Sequence, residues 1–244
     1  MNWTYTDIFR VLVIAVTLLI GIAACGPPGE KNAMVKVDIK PQDFALLPCD
    51  IPQSEKPCVL VVAGGKRVLF GAPAGVAKGL PKAELGQLDA VMLFSLTAGD
   101  IEGLDEIRNA SWHAGRTRPL ALVGPEGTVA VATALNLAFE QADALRIVEE
   151  GIPPGGYDAA VLEAVELPAG RDLVVYDTGD FRVEIVNSRA IYLTYRIDYG
   201  ATLLLQPCRA EMEVQATEST YTVLCENGAM TWPLKQALFL ETTP

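Results

Sequence analysis

Apolar runs of five to seven residues, separated by glycine and polar turns, recur along most of this chain. "CVLVVAGGKRVLFGAP" has the pattern of a hairpin: an apolar run, Gly64-Gly65 for a turn that needs positive φ, and a return from Arg67 to Phe70. "AVMLFSL" is apolar at successive positions, which predicts a strand covered on both faces. After a polar loop, Ile101, Leu104 and Ile107 recur at helical spacing. "RPLALVGPEGTVAVATALNLAFEQ" predicts a strand, a Gly-Pro turn and a helix with Val131, Leu135, Ala138 and Phe139 on one face. "DLVVYDTGDFRVEIV", "AIYLTYRIDY", "ATLLLQ" and "TYTVLCE" then read as strands joined by polar turns. Strands, helices and strands again point to α/β sheets with helices packed outside.

The N-terminus follows a different pattern. "MNWTYTDIFRVLVIAVTLLIGIAAC" carries one Arg, an apolar run from Val11 to Ile22, and small residues up to Cys25. That is the layout of a secretory signal, with an apolar core shorter than the ~20 residues of a spanning helix. Ile22-Ala23-Ala24-Cys25 resembles the lipobox of bacterial lipoproteins, which implies a lipidated Cys25 and a chain held at the periplasmic side of a cell-envelope membrane. An uncleaved N-terminal anchor is the alternative. The expected organisation is a signal over residues 1–24, a Gly/Pro tether over 25–33, and one domain over 34–244.

Half of the chain is apolar and the formal net charge is -11. Such a surface repels phosphate backbones and anionic lipid, so nucleic acid is not an expected partner. Apart from Cys25, the cysteines are Cys49, Cys58, Cys208 and Cys225. An even count in an exported chain reads as disulfides, and four cysteines permit three pairings. Cys49–Cys58, closing the Pro-bounded loop "CDIPQSEKPC", and Cys208–Cys225, joining neighbouring apolar segments, are the expected pairs. A zinc cluster of these cysteines lacks the Cys-x-x-Cys spacing such sites use.

"LVVAGGKRVLFGAPAGV", "LDAVMLFSLTAGDIEGLDEI" and "RPLALVGPEGT", in that order, resemble the metallo-β-lactamase fold family, nearest its ribonuclease Z and arylsulfatase-like branch. The resemblance implies an αββα sandwich of two mixed sheets, somewhat truncated at the C-terminus. In that family the loop after the "AVMLF" strand carries His-x-His-x-Asp-His. Laid on it, Ser95 and Thr97 stand at the first two histidines, Gly99 at the aspartate and Asp100 at the third histidine. Gly71 stands at the aspartate of the family's Leu-Phe-Asp-Ala-Gly. Pro207, within Gln206-Pro207-Cys208, replaces the carboxylate that bridges the metals. His113 is the one histidine of the chain. Imidazoles hold zinc at about 2.0–2.1 Å and leave a metal-bound hydroxide as nucleophile. Hydroxyls and a missing side chain supply no such ligands, so the expectation is no metal and no other cofactor.

Asp100, Glu102, Asp105 and Glu106 form an acidic group at a helix start, with Asp100 expected to cap the helix. Their spacing matches no calcium loop. Nothing in the sequence brings Ser95, His113 and an aspartate together as a triad. The expected function is a non-catalytic binding or scaffold lipoprotein, a pseudoenzyme of a metallo-hydrolase fold, with an envelope protein as its partner. The alternative is a hydrolase of that superfamily with a rebuilt, non-standard site.

Overall fold

The computed structural model describes residues 38–167, 173–187, 191–208, 220–226 and 230–242, all within one unit, Val37–Pro244. The expected signal over residues 1–24, Cys25 and the expected tether lie outside the described residues.

The hairpin forms as its pattern predicts. Strand β2 (Val59–Ala63) pairs antiparallel with β3 (Lys66–Phe70) across Gly64 and Gly65, whose φ values are 56° and 73°. Around it grows a seven-stranded sheet in the order β13-β1-β2-β3-β4-β5-β6. Here β1 is Phe44–Pro48, β4 Ala90–Met92, β5 Leu120–Gly124, β6 Leu162–Glu166 and β13 Leu238–Leu240. The pairings from β3 to β6 are parallel, and those from β13 to β3 are antiparallel. Each parallel step needs a crossover, and the helices supply them. They are α1 (Lys82–Leu85), α2 (Ala98–Ile101), α3 (Leu104–His113) and α4 (Thr128–Glu150), with a 3₁₀ turn at Asp158–Ala160.

The second sheet has six strands, β12-β11-β10-β9-β8-β7. In chain order these are β7 (Leu173–Asp177), β8 (Arg182–Asn187), β9 (Thr194–Asp198), β10 (Thr202–Leu205), β11 (Thr220–Leu224) and β12 (Met230–Thr231). From β7 to β10 the neighbours are antiparallel, and from β10 to β12 they are parallel.

Alternation of side chains divides the apolar runs between two cores. Phe44, Leu46, Val61, Val68, Phe70 and Met92 point between the sheets and meet Phe181, Val183, Ile185, Tyr195, Ile197 and Leu203. Their neighbours Ala45, Leu47, Leu60, Val62, Leu69 and Val91 point outward, beneath Leu85, Leu104, Ile107 and Ala132 of the helices. This double cover is why the runs are apolar at successive positions, and each large side chain so buried stabilises by about 1.5–3 kcal/mol. The outer face of the second sheet is different: Arg182 and Arg196 stand exposed on it, and among the described residues no helix covers it.

Helix α4 departs from its expected face. Thr128, Ala132 and Asp143 are its buried positions, Val131, Leu135 and Phe139 are partly buried, and Ala138 is exposed. Asp143 explains the rotation. Its carboxylate meets the Arg108 guanidinium of α3 at 2.5 Å with both side chains buried, and Phe139 lies against the same guanidinium at 5.2 Å.

Candidate functional site

Strand β4 ends where the two sheets are stitched together. The Leu93 amide donates to the Val123 carbonyl (2.8 Å) within the first sheet. Just beyond, the Leu193 amide donates to the Phe94 carbonyl (2.7 Å), and the Tyr195 hydroxyl to the Leu93 carbonyl (2.6 Å), both from the second sheet. Burial pushes the Tyr195 phenol far above its ordinary value, so this hydroxyl is a permanent donor. The chain leaves the seam at Ser95 and enters α2, which fixes the loop that carries the sequence-predicted site.

In that loop Ser95, Thr97 and Asp100 form one cluster. The hydroxyls of Ser95 and Thr97 both donate to Asp100 Oδ2, the second at 3.0 Å, and the Thr97 amide donates to Ser95 Oγ at 3.1 Å. Each hydroxyl has one proton, so the 3.0 Å approach of Ser95 Oγ to Thr97 Oγ1 joins two oxygens that both direct protons at the carboxylate. Ser95 is fully buried and Asp100 is 9% exposed. The capping expectation is corrected here: Thr97 holds the N-cap position of α2. Asp100 lies inside the first turn, where its side chain reaches back to the two hydroxyls rather than to free amides.

The disulfide loop lies across the same place. Cys49 and Cys58 are bonded with Cα atoms 5.6 Å apart, as expected. The loop they close lays Pro57 and Lys56 over Gly71 and Gly99. A Cβ on Gly71, whose φ is 80°, would sit 2.2 Å from the Pro57 carbonyl oxygen. A Cβ on Gly99 would sit 2.7 Å from Lys56 Nζ. The first contact is with backbone and cannot give way; the second is with the end of a flexible side chain and can. The Gly71 amide donates to the Met92 carbonyl (2.8 Å) and the Ala72 amide to the Asp100 carbonyl (3.2 Å), which locks this segment to the β4 loop. The space for an acidic side chain at 71 is therefore filled by peptide.

Pro207 follows β10 and is buried. The Trp232 indole donates to the neighbouring Gln206 carbonyl (2.7 Å) and packs edge-on against Phe94, with ring centroids 5.8 Å apart. Phe94 in turn meets Tyr195 at 5.7 Å, and Tyr195 meets Phe70 at 5.2 Å. Aromatic rings thus occupy the seam between the β4 loop and the turn after β10. Cys208 and Cys225 are bonded as expected, Cα atoms 5.0 Å apart, and tie β10 to its parallel neighbour β11.

The remaining acidic residues do not converge on Asp100. Glu106 turns to the Gly75 amide, which donates to both its oxygens at 3.0–3.1 Å, and Glu102 is exposed. His113 is the last residue of α3, about 13.5 Å along the helix from Leu104. It packs on Trp112, and burial together with the Arg146 guanidinium holds its imidazole below the usual range. Ser95 and His113 are therefore not brought together. At the Gly-Pro-Glu-Gly turn, Glu166 of β6 accepts from the Gly127 and Val129 amides at 3.1 and 3.3 Å, so the N-terminus of α4 already carries an anion.

The described residues do not fit a pair of metal ions. Asp100 is the one carboxylate at the β4 loop positions and two hydroxyls engage it, four cysteines are in disulfides, and His113 is remote. Among the described residues no three His, Cys, Asp or Glu side chains lie close enough to hold an ion. Sequence reasoning located this loop and both disulfides; it missed Lys56, Pro57, Trp232 and Tyr195, whose roles arise only where distant segments meet.

No protein-family model matches the chain, and no curated protein matches it in sequence. Among solved structures it is similar to the short form of human tRNase Z, with a TM-score of 0.50 and 15% identity over 69% of this chain and 70% of that one. It is also similar to a diphosphatase of the PhnP family (TM-score 0.47, 15% identity, 86% and 93% covered). The metallo-β-lactamase fold protein YhfI from Bacillus subtilis gives a TM-score of 0.45 at 13% identity, with 75% and 70% covered. At such identities the likeness is one of fold alone. The chain is an α/β protein with the metallo-β-lactamase fold, two mixed sheets packed face to face with helices on the outer face of the first.

Proposed function

We propose that this chain is a lipid-anchored protein of a bacterial cell envelope that uses a metallo-β-lactamase fold as a non-catalytic binding scaffold. The observation that supports the reading is that the chain itself closes the positions that the resemblance aligns with a metal site. Pro57 fills the space at Gly71, Lys56 lies over Gly99, and Asp100 accepts the Ser95 and Thr97 hydroxyls. A hydrolase of this fold needs an activated water on metal or a nucleophile open to substrate. Ser95, the hydroxyl nearest a carboxylate, donates its hydrogen bond to Asp100 but is wholly buried, so it is not open to a substrate. Both disulfides support an oxidising compartment.

Anchoring rests on the lipobox-like Ile22-Ala23-Ala24-Cys25. No helix among the described residues is long and apolar enough to cross a membrane. The acidic domain adds no electrostatic hold on anionic lipid, so attachment falls to the acyl chains, of which two or more give stable binding. Cys25→Ser is expected to leave the membrane fraction or to accumulate as unprocessed precursor, read by fractionation and the mass of the N-terminal peptide. Normal processing together with persistent sedimentation after a high-salt wash would contradict lipid anchoring.

A further inference from the structure

The longest helix turns an uncharged face to solvent. At 100° per residue, Ala130, Ala134, Leu137, Gln141, Leu145 and Val148 of α4 share one side, opposite the buried Ala132 and Asp143. Leu137 is 70% exposed, Leu145 60% and Val148 82%. No charged side chain lies on this side. Asp143 and Arg146 turn inward, to Arg108 and to the Trp112 ring, while Glu140 and Glu149 lie on the flanks. A surface helix ordinarily sets charge opposite its buried stripe; one apolar on both sides has a second partner.

The geometry points to a second copy of this chain, packed through an antiparallel α4–α4 pair about a two-fold axis near residue 139. The stripe is self-complementary in that direction alone. Its first half is small (Ala130, Thr133, Ala134) and its second half is large (Leu145, Val148). Antiparallel pairing sets Ala130 against Val148, Thr133 against Leu145, Ala134 against Ala144 and Leu137 against Gln141. Large side chains then enter the gaps beside small ones, as packed interfaces require. Parallel pairing would stack large on large and bring the Glu149-Glu150 ends together. A lipid surface fits the stripe less well, because membrane-surface helices carry basic flanks and this one carries Glu140, Glu149 and Glu150.

The area suits a weak dimer. From Ala130 to Val148 the stripe runs about 27 Å on a helix about 10 Å across, which removes on the order of 500 Å² per partner. Ile152, 76% exposed just past the helix end, extends the patch. The total, about 1,000 Å², lies below the ~1,200 Å² lower bound of stable interfaces, in the range of weak, reversible pairs.

The test uses the full chain in its native membrane. Around the two-fold axis the two Gln141 Cα atoms are offset by about 6 Å along helices about 8–10 Å apart. Gln141→Cys is therefore expected to yield a dimer with a short bismaleimide, whereas Thr133→Cys, offset about 18 Å from its mate, is not. Adding Leu137→Asp and Leu145→Asp buries four carboxylates in the interface and is expected to weaken dimerisation at least ~100-fold. That loss is read by sedimentation equilibrium after mild extraction. Both leucines are exposed in the single chain, so at concentrations where the wild type is dissociated the melting temperature of the double variant is expected to stay unchanged, which separates a lost interface from a lost fold. A single-chain mass at all concentrations with no cross-link would overturn the proposal. So would a dimer that survives the two aspartates, or a double variant whose one measured loss is binding to uncharged phosphatidylcholine vesicles.

Discussion

Asp100→Ala separates a carboxylate that holds the fold from one held ready for a ligand. In the structure Asp100 Oδ2 receives the protons of Ser95 and Thr97, and Ser95 is fully buried. Removing the carboxylate strands a buried hydroxyl and a half-buried one. Hydrogen bonds to a charged group contribute about 1.5–3 kcal/mol each, and Thr97 regains water, so the expected loss is about 3 kcal/mol. For a chain of this size a kcal/mol shifts the melting temperature by about 2–4 °C, which predicts a fall of ~6–12 °C. Urea unfolding gives the free energy directly, and the slope should be unchanged because the surface exposed on unfolding is the same. In a Ser95→Ala/Thr97→Val background the same substitution should cost less than ~1 kcal/mol, since no hydroxyl is then stranded. Functional carboxylates are often kept at a cost to stability. A neutral or stabilising Asp100→Ala would thus show that the cluster is strained toward a ligand, and would refute the structural reading.

Asp143→Ala leaves Arg108, whose side chain is 1% exposed, as a buried unpaired cation and should destabilise by about 3–5 kcal/mol. The Arg108→Met/Asp143→Leu pair should recover most of that loss in the same denaturation assay, and a double variant as unstable as Asp143→Ala would argue against desolvation as the cause. Thiol titration of denatured, unreduced protein should find no free thiol at Cys49, Cys58, Cys208 or Cys225. Replacing Cys49 and Cys58 together by serine should cost about 2.5–3 kcal/mol for a closed loop of that length, and a loss well below ~1 kcal/mol would mean that the loop is held on Gly71 and Gly99 by packing alone.

What could be read from the sequence followed from local rules. Gly64-Gly65 between apolar runs fixes a hairpin because few other residues accept positive φ. The unbroken "AVMLF" requires cover on both faces, and the two cores provide it. What could not be read depended on contacts across the fold. Strand β1, "FALLP", ends in proline, and β6, "LEAVE", has four exposed or half-exposed acidic and apolar positions, so neither stands out by alternation. The inner face of α4 was misjudged at Ala138 because a buried Asp143–Arg108 pair, not apolar periodicity, sets its rotation. At the candidate site Ser95, Thr97, Gly99, Asp100 and Pro207 could be singled out from the sequence, but not that the Cys49–Cys58 loop lies over Gly71 and Gly99. No spacing rule connects residue 57 to residue 71; only the disulfide and the folded sheet bring them together.

The proposed closure of a metal site by the fold's own side chains and backbone is tested most directly by metal content. Protein purified without chelator should carry zinc well below one equivalent by elemental mass spectrometry, and chelator should leave its melting temperature unchanged, because metal that binds only the folded state would raise it. Two zinc ions per chain, lost to chelator together with thermal stability, would contradict the account.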